Sequence, residues 1–321
     1  MANSTSSAPA GTRRSGRGAV TPTRTRSRGS SARRREGLAA WLFALPFVLV
    51  FGVFMLVPLV SSFAMSFTDF LSSDAQTPFS VDFVGFRQYV ALFEDPQFRQ
   101  AMLNTGIVVV FGIPLTMALA LALAVALNSG ITKFRTLFRV GFYTPVVTSI
   151  VAVAVVWRFI LQPDGLLDTM LSWIGISGPN WLQSTTWALP SLIVMTAWRN
   201  MGTLMVIFLA GLQNVPQEVQ EAAIMDGAGP WQRFRRITMP LLRPTLLLGA
   251  VLLSVAYLQF FEESFVMTQG GPLDSTLSVT YFTYNQFGFG KYGYASAASY
   301  VLFAVIAALS TLQFRILRPK D

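Results

Sequence analysis

Six stretches of this 321-residue chain stay predominantly apolar for the length of about 20 residues that a helix needs to cross a bilayer. They run roughly over Leu38–Ser66, Leu103–Leu127, Val140–Leu161, Leu189–Leu212, Thr245–Met267 and Ala295–Phe314. In hydrocarbon every backbone donor and acceptor has to be satisfied within the segment itself, so such stretches become helices. The length alone would also suit one or two soluble domains, but 53% of the residues are hydrophobic and only 12% are charged. The fold class predicted is therefore an all-α membrane protein, a bundle of six transmembrane helices. Pro46, Pro58, Pro114 and Pro145 fall within or at the ends of these spans, which suggests kinked helices whose neighbours re-satisfy the backbone. Gly249, Ala250 and the alanine-rich run from Ala118 to Ala126 would let helices approach closely.

Basic residues orient the bundle. The segment before the first span holds nine arginines, the 128–139 loop holds three basic residues, the 215–244 loop four and the C-terminus three. The alternate connections hold four between them, and Arg199 lies inside a span. Nineteen basic residues thus fall on one side, which predicts that both termini and the 215–244 loop are cytoplasmic. The net charge of +9 equals the arginine count of residues 1–35, which contain no acid, so the remaining fifteen basic and fifteen acidic residues balance. The basic average is no argument for nucleic-acid binding. Residues 1–36, rich in Ser, Thr, Ala, Gly and Arg without apolar periodicity, read as a disordered tail. A solvated cytoplasmic tail in contact with anionic lipid and a transit peptide both fit that composition. A cleaved secretory signal does not, because the apolar stretch that follows is far longer than an h-region of about 7–15 residues.

The chain contains no cysteine and no histidine. That removes disulfides, Cys and His metal ligands, and any Ser-His or Cys-His nucleophile pair. Its three lysines, Lys133, Lys291 and Lys320, stand outside any phosphate-binding G-x-x-x-x-G-K-[ST] loop, so nucleotide chemistry would have to belong to another polypeptide. An intramembrane enzyme would need a nucleophile and base converging in a span, and no lysine lies mid-span.

One polar insert looks helical. From Val215 to Pro244 the chain reads V-P-Q-E-V-Q-E-A-A-I-M-D-G-A-G-P-W-Q-R-F-R-R-I-T-M-P-L-L-R-P. Pro216 suits a first helical turn, and Glu218 and Glu221 sit near the positive end of the helix dipole. Gly227 can stop this helix in a left-handed conformation. Pro230 can open a second helix through Thr238, with Pro240 and Pro244 closing the insert. An ordinary loop between two spans is the plainer alternative. The pattern E-A-A-x-x-D-G-A…F…P…P closely resembles the EAA loop of ABC-importer permeases. Two further elements point the same way. The external stretch from Phe83 to Thr105 is similar to the approach to the second span in carbohydrate-importer permeases. T-x-G-G-P…T (Thr268 to Thr276) and the later G-Y-A-S-A resemble elements of the sugar-permease half typified by the maltose F subunit. The large external domain of that subunit is absent, since the 162–187 segment is too short to form one.

This resemblance implies a six-helix permease domain over residues 37–321 with a cytoplasmic EAA coupling helix, acting as a transport subunit and not an enzyme. Glu221, Ala222, Ala223, Asp226 and Gly227 would form the docking helix and its turn. The two carboxylates would face basic groups of an ATPase, the alanines would permit close contact, and Gly227 would supply the bend. Also implied are a second related permease, two ATP-binding subunits that hold the ATP and Mg, an extracellular solute-binding protein, a sugar substrate and a bacterial cell membrane. No cofactor is implied for this chain. A secondary transporter or channel would share the hydrophobicity, but it would have no use for an EAA loop.

Charge inside a span is expensive and marks a pathway or a pair. Arg199 and Asn200 lie near the middle of the fourth span. Tyr257, Gln259, Glu262 and Glu263 lie late in the fifth. One reading places all six along a substrate pathway, where planar polar groups and aromatic faces suit a sugar. Others are an Arg199 ion pair with Glu262 or Glu263, or simple snorkelling of the arginine. For Phe83, Phe86, Tyr89, Phe93 and Phe98 in the external loop, and for Trp173, Trp181 and Trp187, a place at the membrane interface is the simplest reading.

Overall fold

A computed structural model of the protein describes residues 30–76, 81–129 and 135–317, in two units, 1–57 and 58–321. Residues 1–29 of the tail expected over 1–36, loop residues 130–134 with Lys133, and the terminal Arg318 and Lys320 lie outside the described residues. The first unit contributes one helix, α1 (Ser30–Phe51), and a π-helical turn, Gly52–Leu56. The helix starts within the stretch whose composition reads as tail. The Val57 N–H reaches back five residues to the Gly52 carbonyl, which widens the turn.

The second unit takes up the chain with α2 (Val57–Met65), α3 (Arg87–Glu94), α4 (Pro96–Ser129), α5 (Arg135–Val147), α6 (Ile150–Leu161), α7 (Leu166–Ser172) and α8 (Ala188–Gln213). Then follow α9 (Gln217–Met225), α10 (Pro230–Arg233), a π turn over Phe234–Thr238, α11 (Met239–Leu241), α12 (Arg243–Leu258), α13 (Glu262–Met267), α14 (Val279–Gly288) and α15 (Tyr292–Leu317). No strand occurs among the described residues; Thr68 and Phe83 share an isolated bridge. The stretches Trp41–Met65, Pro96–Asn128, Ile150–Ser172, Ala188–Gln213 and Tyr292–Ile316 are long and apolar enough to span a membrane. A sixth span needs two helices, Pro230–Leu241 and Arg243–Leu258, which meet at a bend of 67°.

Two of the expected segments are interrupted. The third divides at Thr148 and Ser149, where Ser149 adopts φ −53°, ψ 128° a few residues beyond Pro145. The fifth divides at Gln259–Phe261, and Phe261 leaves helical geometry at φ −145°. In each case a short stretch of backbone turns away from the helix at polar residues, Thr148 and Ser149 in the one and Gln259 in the other.

The core is built on α4 packed against α8. Ala120 and Ala124, both fully buried, let the helices close, and Leu192, Met195, Leu204 and Phe208 fill the seam from the other side. Gly249 of α12 meets the same seam: a Cβ there would stand 2.9 Å from the Phe208 ring. A smaller cluster joins the start of α4 to α14 and α15 through Phe98, Leu277, Phe282, Ala297 and Ala298. Here one expectation fails. Phe98 is fully buried, its ring 5.4 Å from that of Phe282, and is no interfacial anchor. The reason lies at the start of α4, where Asp95 caps the helix by accepting from the N–H of Gln97 at 2.8 Å and from the Tyr294 hydroxyl at 3.0 Å. That cap turns the first helical turn inward. Phe83, Phe86 and Phe93 remain exposed, as an interface would require.

Candidate functional sites: the polar loop and the buried polar cluster

The 215–244 insert folds as two helices around a glycine turn. Pro216 stands just ahead of α9, in extended geometry, and does not occupy its first turn. At the other end Gly227 adopts φ +79°. Its N–H bonds to the Ile224 carbonyl at 2.9 Å, and the next N–H, of Ala228, reaches the Ala223 carbonyl at 2.9 Å. This is a Schellman closure, which satisfies the last carbonyls of the helix and needs a residue without a Cβ penalty at that φ. Gln220 Nε2 donates to Thr238 Oγ1 at 3.0 Å and ties the two helices together. Glu221, Ala222, Asp226 and Gly227 are exposed, and Met225 is 88% exposed. Ala223 is turned inward, so within this chain it serves packing, and surface for contact comes from Ala222 and Met225.

The ionisable and polar residues of the fourth and fifth spans form a cluster with an unequal membership. Tyr257 is buried, and its hydroxyl lies 2.6 Å from Thr116 Oγ1, with the Asn200 side chain close by. Gly112, one turn before Thr116, lies directly beneath the Tyr257 ring, where any Cβ would collide. Glu263, also buried, lies beside the Thr196 hydroxyl and within electrostatic reach of Arg199 and Glu262. Arg199 is half-buried, and its Nε has no hydrogen-bond partner. No direct ion pair joins it to either glutamate among the described residues. Arg199, Asn200, Tyr257 and Glu263 thus share one neighbourhood between α4, α8, α12 and α13. Glu262 is exposed at the start of α13, and Gln259 is exposed in the break, lining a separate cavity of about 260 Å³ with Thr280, Thr283 and Ser299.

Three members of this cluster escaped sequence reasoning: Gly112, Thr116 and Thr196. Glycine and threonine are ordinary in a span, and only the spacing of Gly112 and Thr116 by one helical turn hints at a polar seam. A second omission is Asn104. Its side chain donates to the Asp274 carbonyl at 2.7 Å and the Leu277 carbonyl at 2.9 Å. It thereby ties α4 to the Gly-rich loop that begins at Thr268, so the two elements expected to be external from their sequence patterns are in contact.

The chain matches, over residues 37–320, the family described as the binding-protein-dependent transport system inner membrane component. It belongs to that family. The match takes in both the polar loop and the buried cluster. Among relatives, the lactose transport system permease protein LacF of Rhizobium radiobacter is 35% identical over 297 residues, covering 91% of this chain and 98% of its own length. The arabinooligosaccharides transport system permease protein AraP of Bacillus subtilis (strain 168) is 33% identical and covers 87% of this chain and 88% of itself. A solved bacterial ABC transporter involved in the import of the acidic polysaccharide alginate superimposes with a TM-score of 0.73 at 26% identity. It covers 90% of this chain and 97% of its own. The inner membrane component described here is therefore an ABC permease in fold, with its helices interrupted where the buried cluster sits.

Proposed function

We propose that this chain is the permease subunit of an ATP-driven, binding-protein-dependent sugar importer of a bacterial cell membrane. A second, related permease completes the translocation pathway. Two ATPase subunits holding ATP and Mg dock on the cytoplasmic face, an extracellular binding protein delivers the sugar, and lipid surrounds the spans. The names of the relatives support a sugar as cargo. The distribution of basic residues supports cytoplasmic termini and a cytoplasmic 215–244 loop.

The observation that carries the reading is the Gly227 turn, which leaves the Glu221 and Asp226 carboxylates exposed on a short helix that projects from the spans. Such a helix fits a cleft lined with basic groups on an ATPase. Closing of the ATPase pair around nucleotide would move α9, and rigid-body rocking would then open the pathway to alternate sides. Arg199, Asn200, Glu262, Glu263 and Gln259 are the pathway candidates, and Tyr257 acts behind them through its bond to Thr116, close to Asn200. This chain supplies no bond chemistry.

The test is the ATPase activity of the reconstituted complex, scanned against sugars presented by the cognate binding protein. Stimulation by one sugar, lost in Gly227→Pro while the complex still assembles, supports the assignment. Sugar flux through this chain alone, with no nucleotide dependence, overturns it.

A further inference from the structure

At the outer ends of α6 and α13 lies a cleft of about 400 Å³, within the usual range of about 300–1,000 Å³ for small-molecule sites. Arg158, Gln162, Asn180 and Gln183 contribute its exposed polar rim, and Met267 and Thr268 also line it. Trp181 forms the wall. Its indole N–H donates to Asp168 Oδ1 at 2.8 Å, and its ring stands edge-on to Trp187 at 5.6 Å. Gly178 is part of that arrangement, because a side chain there would occupy the position of the Asp168 carboxylate. The wall is thus fixed, while the four rim side chains are exposed and free to adjust.

We infer that this cleft is an outer binding subsite for a polyhydroxylated, sugar-class ligand, lying ahead of the buried cluster on the same path. The chemistry favours this class. Three carboxamides and a guanidinium offer planar donors, with acceptors on the carboxamides, around an anchored indole, whose face can cover the C–H side of a sugar ring. The placement favours a path. α13 packs against α6, and Met267 in the cleft lining is four residues beyond Glu263 on α13, about 6 Å along the helix axis. The cleft thus lies about one helical turn from the buried Glu263.

This inference rests on the proposed sugar cargo, and its test runs without ATP or binding protein, so the two readings can fail separately. The complete transporter in lipid nanodiscs is titrated with lactose, maltose, trehalose, arabinobiose and glucuronate, and saturation-transfer NMR reports contact. At least one sugar is expected to give a saturable signal that Gly227→Pro leaves intact. Arg158→Gln and the double variant Asn180→Ala/Gln183→Ala, all at exposed positions, are expected to weaken it fivefold or more. Saturation by none of these sugars overturns the inference. So does an unchanged signal in both cleft variants.

Discussion

The hydroxyl of Tyr257 lies 2.6 Å from Thr116 Oγ1, joining α12 to α4 at a point buried from every side. Breaking a buried hydrogen bond from one side strands the other partner, whereas replacing both can come close to neutral. Tyr257→Phe alone and Thr116→Val alone are each expected to destabilise the reconstituted protein by about 1 kcal/mol, the scale of intramembrane hydrogen bonds. The Tyr257→Phe/Thr116→Val pair is expected to cost less than the sum. Thermal unfolding of the four proteins in one detergent checks this.

Gly112 and Gly106 share α4 but not their surroundings. A methyl at Gly112 runs into the Tyr257 ring, and at Gly106 it meets open space. Gly112→Ala is therefore expected to lower stability by about 1–3 kcal/mol through overpacking. Gly106→Ala is expected to be neutral or slightly stabilising, since alanine is the better helix former. Expression level and melting temperature of the two variants separate these outcomes.

Asn104 carries two backbone carbonyls of the 268–277 loop on one carboxamide. Asn104→Leu should leave both without that donor and loosen the loop while sparing the helices. Amide exchange over residues 268–277 is expected to quicken about tenfold, equivalent to about 1.4 kcal/mol of lost local stability. Exchange in α8 should not change.

At Gly227 the left-handed φ of +79° discriminates among side chains. Asparagine tolerates that region, and a β-branched residue does not. Gly227→Asn is expected to keep most of the sugar-stimulated ATPase activity of the assembled transporter, and Gly227→Val to lose most of it, with equal assembly in both. Uptake per ATP hydrolysed, measured in proteoliposomes, reads the difference.

The spans were legible because an apolar run of about 20 residues has few alternatives. The 215–244 helices were legible as well, since proline, glycine and acidic residues mark helix ends by local chemistry. The break at Gln259–Phe261 was not, because polar residues such as Gln259, Glu262 and Glu263 also occur in unbroken spans where they line a pathway or form a pair. Arg199, Asn200, Tyr257 and Glu263 could be picked out as costly polar residues, and they do come together. Their separation from Gln259 could not be foreseen, because it depends on that same break. Phe98 illustrates a further limit. An aromatic residue near a membrane surface looks the same in sequence whether it faces lipid or, as here, Phe282.

The 67° bend at Leu242 gives the polar loop mechanical purchase on the interior. Beyond the bend α12 is an unbroken rod whose fifteenth residue is Tyr257, about 21 Å from Arg243 along the axis. Tilting such a rod about its loop end by roughly 10° carries its far end through roughly 4 Å. That travel exceeds the 2.6 Å that separates Tyr257 from Thr116. On the proposed coupling, a modest push on the loop would be enough to open or remake a polar contact deep in the bundle, with α12 as a lever arm and the tyrosine at its tip.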